Sequence, residues 1–155
     1  MVEPARPRPE RRRDTEQLLS TAIDAWVATS GTDGIPYLIP LSHHWDGRTL
    51  LLSTGADSRI VRNIQHNGLA RIAVGATRDL CLIDGEVDAL PISAVDTGRT
   101  GAFAARAGFD PRTLGTRYVW LLLTPARVQA WREENEIDGR DLMVDGRWLD
   151  DEGEA

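Results

Sequence analysis

Residues 26–74 read WVATSGTDGIPYLIPLSHHWDGRTLLLSTGADSRIVRNIQHNGLARIAV, and the spacing of apolar residues and turns in this stretch decides the fold. Residues 25–30 predict a first strand, and Gly31-Thr32-Asp33-Gly34 a hairpin turn. Residues 35–45 form a long second strand, interrupted by Pro36 and Pro40. A proline cannot donate to a ladder, so Pro40 marks a bulge or an unpaired edge, and free backbone there can face a ligand. Asp46-Gly47 makes the next tight turn, and residues 49–53 form the third strand. Residues 58–66 then have helical spacing, with Ile60, Val61 and Ile64 apolar and Asn67-Gly68 as the stop. Residues 70–74 return to a strand.

Between the third strand and this helix lies Ser53-Thr54-Gly55-Ala56-Asp57-Ser58-Arg59. It combines two hydroxyls, a glycine, a hydroxyl at a helix start and an arginine, which are the parts of a phosphate cradle. Hydroxyls and early helix N–H groups donate to phosphate oxygens, and the helix dipole favours negative charge. Arg59 can add a bidentate fork. Asp57 opposes an anion unless it turns aside to cap the helix.

The rest of the chain fits around this element. Residues 1–13 are rich in proline and arginine, with little to bury, and are expected to form a flexible basic arm. Asp14 is a candidate N-cap for a helix carrying Leu18, Leu19, Ala22 and Ile23. Residues 80–90 predict a strand interrupted at Asp84-Gly85, and residues 91–107 a helix. Residues 118–123 and 127–131 predict two strands around Thr124-Pro125, and residues 139–149 a last hairpin around Asp145-Gly146. An acidic tail, 150–155, follows the domain expected over 14–149. Many short strands and few helices make the fold mainly β (α+β), a small barrel of six or so antiparallel strands.

Composition narrows the function classes. The 155 residues are 41% hydrophobic and 27% charged, which suits one domain with a real core. A net charge of −6 argues against bulk nucleic-acid binding. Cys81 is the single cysteine, so no intrachain disulfide and no multi-thiolate metal site can form. No apolar run is long enough to span a bilayer, and a cytoplasmic setting is expected. His43 and His44 are adjacent in a strand and point to opposite faces, which disfavours one shared metal ion. A haem role for either stands as a minor alternative, and no metal ligand is assigned. Trp26, Trp45 and Trp120 sit in strand patterns as core or interface residues. No catalytic triad, paired-carboxylate site or P-loop is visible.

These residues resemble the pyridoxamine 5'-phosphate oxidase-like family of split β-barrel flavoproteins. The resemblance covers roughly residues 15–149, apart from the helix at 93–107. It implies a homodimer that binds FMN, or the deazaflavin coenzyme F-420, at the subunit interface. By resemblance, the strand Tyr37-Leu38-Ile39-Pro40-Leu41-Ser42 runs its backbone along the flavin ring. The family's hydroxyl pair falls on Ser53 and Thr54, and its Ser-Arg-Lys on Ser58-Arg59-Ile60. Ile60 replaces the lysine, and Arg62 is the candidate to compensate. Trp131 and Arg140 match groups that reach the flavin from the partner subunit, and Asp79 falls near a polar residue beside the ring. The true oxidase carries Arg-x-His before the final arginine, and here that stretch is the acidic Glu136-Ile137-Asp138. The resemblance therefore implies an FMN-dependent oxidoreductase acting on a small organic substrate other than pyridoxine phosphate. The alternatives are an F-420-dependent reductase and a non-catalytic ligand-binding or regulatory barrel.

Overall fold

Strand pairing follows the apolar alternation. The computed structural model describes residues 3–149; the acidic tail expected over 150–155 lies outside the described residues. β1 (Asp24–Ser30), β2 (Pro36–Trp45) and β3 (Leu50–Gly55) form an antiparallel meander, and α2 (Arg59–Asn67) follows α1 (Arg8–Thr21) as the second α-helix. β4 (Leu69–Ala76), β5 (Asp79–Leu90) and β6 (Tyr118–Trp131) continue the sheet in the order β3-β2-β1-β4-β5-β6. β3 also pairs with β6, from Leu50 opposite Leu123 to Gly55 opposite Tyr118, and this closes six strands into a barrel. β7 (Asp141–Val144) and β8 (Arg147–Trp148) extend the sheet beyond β6.

The core holds Leu50, Leu52, Ile72, Ile83, Leu123 and Val128 from the strands, with Ile60, Val61 and Ile64 from α2. Burial of each such side chain contributes about 1.5–3 kcal/mol. A second cluster, Leu51, Phe103 and Trp120, joins the outward face of β3 and β6 to α3 (Thr97–Ala107). Phe103 meets Trp120 edge-on at 5.1 Å.

Three local expectations change. The arm expected over residues 1–13 meets a helix that starts at Arg8, with Pro7 rather than Asp14 at its N-cap position. Proline near the start of a helix gives up only an N–H that has no helical partner there. β6 is one strand through Pro125, and β5 is one strand through Asp84-Gly85. Their register shifts there: Gly85 faces Pro125, Asp84 faces Arg127, and the bulge takes up Ala126. A Cβ on Gly85 would collide with the Thr124 carbonyl oxygen, so glycine permits the continuous pairing. The helix expected over 91–107 divides into a 3-10 turn (Ile92–Ala94) and α3, which starts at an Asp96 cap. Trp26, read as a core or interface residue, lies outside the core: it is 52% exposed, whereas Trp120 is fully buried.

Candidate functional site

The second strand leaves part of its backbone free. β2 pairs with β1 along Pro36–Ser42, but with β3 only through His43, His44 and Trp45. The His43 N–H donates to the Ile23 carbonyl at 2.8 Å, on the β1 side. Amide directions alternate along a strand, so the polar groups of Leu38, Pro40 and Ser42 face the open edge. Pro40 sits where its missing N–H costs β1 nothing. Tyr37, Ile39 and Leu41 lean on the barrel core, while Leu38 is exposed. Ser42 is engaged sideways, its Oγ donating to Asp24 Oδ1 at 2.8 Å.

Of the residues read as a cradle, Ser58 and Arg59 stand at the start of α2. Ser58 is the N-cap and its side chain accepts the Val61 N–H at 3.4 Å. Ile60 is fully buried in the core, so the position matching the family lysine faces away from solvent. Arg62 donates to the Asp57 carbonyl at 2.7 Å and braces the turn into the helix. Ser53 donates its Oγ proton to the Val119 carbonyl at 2.9 Å. Ser53 and Thr54 are both buried and leave β3 from opposite faces, so they do not act as a matched pair of donors. Arg59 is 41% exposed; its Nη2 lies 3.3 Å from Asp33 Oδ2 and its Cζ 5.3 Å from the centre of the Tyr37 ring. Asp33, Arg59, Arg62, Asn63 and His66 line a cleft of about 430 Å³ with the β1–β2 turn. Sequence reading treated Asp33 only as a turn residue and missed this contact.

The remaining site residues lie elsewhere. Arg140 sits over Trp131, with its Cζ 5.8 Å from the ring centre, and donates to the Ile137 carbonyl at 2.9 Å. Asp79 pairs with Arg132 at 3.2 Å rather than standing free. Trp120 faces Ser53 across the sheet. From Trp120 to Trp131 the strand runs eleven residues, a contour of roughly 36 Å. The contacts of Trp131, Arg140 and Asp79 lie at the other end of β6, and the cleft at Arg59 includes none of the three.

Glu136, read as part of an acidic stretch, is buried. It accepts from Arg6 Nε at 2.9 Å, Arg6 Nη2 at 2.8 Å, the Arg6 N–H at 3.0 Å and the Arg132 N–H at 2.9 Å. Arg11 donates to its carbonyl at 3.0 Å. The Arg6 guanidinium holds the Glu136 carboxyl down at about 2. His43 is also buried, with Nε2 3.1 Å from the Leu19 carbonyl, and desolvation lowers its pKa. His44 leaves the other face of β2 and is half-buried. Burial pushes the Cys81 thiol up to about 12. Among the described residues no group of three or more His, Cys, Asp or Glu side chains could hold a metal ion, and no helix is long and apolar enough to cross a membrane.

Comparison with known proteins places this geometry. A family model described as Pyridoxamine 5'-phosphate oxidase matches residues 13–132. A solved F420 reductase is 22% identical, covers 73% of this chain and 94% of its own, and superposes with a TM-score of 0.61. A putative pyridoxamine 5'-phosphate oxidase from Listeria innocua is 11% identical, with 80% and 99% coverage and a TM-score of 0.62. A putative 5-nitroimidazole antibiotic resistance protein from Bacteroides thetaiotaomicron is 13% identical, with 76% and 81% coverage and a TM-score of 0.64. At these identities the likeness is one of fold. Among curated proteins no sequence matches this chain.

Proposed function

This chain belongs to the pyridoxamine 5'-phosphate oxidase family, and from that premise we propose that it is a flavin-dependent oxidoreductase with FMN as its cofactor. The observation that carries the proposal is the open edge of β2 between Pro36 and Ser42, which lies one strand from the α2 N-terminus and Arg59. Unpaired backbone groups suit the polar edge of a flat heterocycle, and a helix start beside an arginine suits a phosphate. When bound, a flavin supplies hydride transfer to or from a small organic substrate. The chain's own residues bind and orient it: Leu38, Pro40 and Ser42 through backbone, Ser58 by holding the helix start, and Arg59 and Arg62 by charge. Thr54 stands at the end of β3 beside this start.

Coenzyme F-420 is the second reading. It is favoured by the F420 reductase among the similar folds and by Ile60, whose burial removes the family's lysine from the phosphate. Pyridoxine phosphate is not the proposed substrate, because Glu136 replaces a basic motif and is tied to Arg6.

The proposed assembly is a homodimer with shared sites. Trp26, Pro40 and Ala73 lie side by side across three strands, and Leu38 lies opposite Ala28 on the same face. Trp26 is 52% and Leu38 59% exposed, an apolar face that a second copy would cover. The partner would bring its Trp131 and Arg140 to a cradle whose cleft includes neither residue of this chain's own pair.

The visible spectrum of the purified protein, followed by titration with FMN and with F-420, tests the proposal. A yellow protein or micromolar FMN binding is expected. A colourless protein that binds only F-420 selects the second reading. Binding of neither overturns both enzyme readings in favour of a non-catalytic barrel.

A further inference from the structure

We propose that Asp33 is a resident counter-ion of Arg59 that a cofactor phosphate must displace, and that it sets how strongly the site prefers a phosphorylated ligand over the same ligand without phosphate. The inference rests on the cradle reading above. Asp33 uses its two oxygens differently. Oδ1 accepts the Ile35 N–H at 3.0 Å and shapes the β1–β2 turn, while Oδ2 meets Arg59 at 3.3 Å. The turn is fastened to α2 at three adjoining points. Asn63 Nδ2 donates to Thr29 Oγ1 at 3.1 Å, and both residues are buried. Asn67 Nδ2 donates to the Ser30 carbonyl at 3.0 Å. Gly31 lies so close to Asn63 that a Cβ there would meet its Oδ1 at 2.5 Å.

An exposed ion pair on a free turn separates at little cost. Here the turn and the helix are bolted together, so their backbones hold the carboxylate and the guanidinium in reach of each other. Tyr37 bounds Arg59 on another side, with its ring centre 5.3 Å away. A phosphate that shares Arg59 therefore meets a fixed negative charge. Repulsion grows with the ligand's charge, so a dianionic phosphomonoester suffers more than an uncharged ligand.

The test compares Kd for FMN and for riboflavin in wild type, Asp33→Asn, Arg59→Ala and the double variant. The amide introduced by Asp33→Asn keeps an oxygen for the Ile35 N–H, and thermal melting confirms that the variant is folded. Asp33→Asn is expected to tighten FMN about tenfold while leaving riboflavin unchanged. The gain should shrink when Arg59 is alanine, because the competition for the guanidinium is then gone and only direct repulsion remains. If Arg59→Ala selectively weakens FMN but Asp33→Asn leaves FMN unchanged or weaker, the counter-ion role is overturned and the cradle stands. If Arg59→Ala changes FMN and riboflavin equally, the cradle reading fails and this inference falls with it; if wild type binds neither ligand, the FMN reading fails and this inference falls with that.

Discussion

Arg59 leaves α2 one residue after its Ser58 cap, at the end of the helix that favours negative charge. Arg59→Ala is expected to weaken FMN binding by about 1.5–3 kcal/mol, with a smaller loss for riboflavin. Arg62 is tied to the Asp57 carbonyl, so it supports the entry to the helix as well as adding charge. Arg62→Ala should therefore also weaken FMN; an unchanged Kd would show that Arg62 does not replace the missing lysine. The cap and the arginine were legible because N-cap chemistry is local: Ser58 and Arg59 are neighbours. Asp33 was not, because the turn that holds it meets α2 only through the closed sheet. Ser53 was legible as a hydroxyl but not as one whose proton goes to Val119, a residue 66 positions away.

The short elements were readable from turns, the outer hairpin around Asp145-Gly146 among them, but the start of α1 and the β5–β6 bulge were not. Asp46-Gly47 and Asn67-Gly68 mark boundaries by backbone chemistry that needs no distant partner; Gly68 adopts φ 68° at the end of α2. The start of α1 has no such signal. Its arginine run looks solvated until Arg6 and Arg11 meet Glu136, which is 130 residues from Arg6. The β5–β6 bulge likewise depends on one strand's glycine approaching the other strand's carbonyl. The clamp at Glu136 has a consequence for pH. Its carboxyl sits near 2 in the fold against an ordinary 4.5. A depressed folded value stabilises fully above the unfolded pKa, so this contribution, about 3 kcal/mol, is present above pH 4.5 and is lost as pH falls through about 2. Glu136→Gln leaves Arg6 and the Arg132 N–H poorly paired in a buried place and should cost about 3–5 kcal/mol at pH 7. Denaturant midpoints of wild type and variant should converge between pH 4.5 and 2. His43, with its lowered pKa, makes both proteins lose stability below its ordinary 6.5, but it cancels in the difference. A gap between the two proteins that stays constant from pH 7 to pH 2 would show that the Glu136 charge is not what holds α1 to the loop.

At the scale of the whole molecule, sequence patterns gave the barrel but not what lies against it. Trp26 and Trp120 both sit in strand alternations, yet one is 52% exposed and the other fully buried. A strand pattern records that a side chain needs an apolar neighbour, not whether the neighbour belongs to the same chain. The same ambiguity governs the site, whose parts stand at separate places: Ser53 to Arg62 around α2, and Trp131 to Arg140 at the far end of β6. If two copies combine these parts, defects in different copies should complement. Arg59→Ala damages the cradle in both sites of its homodimer, and Arg140→Ala damages the partner's contribution in both sites of its own. In a mixed dimer with shared sites, one site takes the Arg59 defect from one chain and the Arg140 defect from the other. The second site then takes the intact cradle and the intact Arg140. Random pairing after co-refolding should therefore restore tight FMN binding in about a quarter of all sites. If each site is built within one chain, every site of the mixed dimer keeps one defect and no tight fraction appears. Chains carrying different affinity tags allow the mixed dimer to be isolated before titration. Failure to recover tight binding in that isolated species would remove Arg140 from the partner's site and leave its contact with Trp131 as a local brace on the loop after β6.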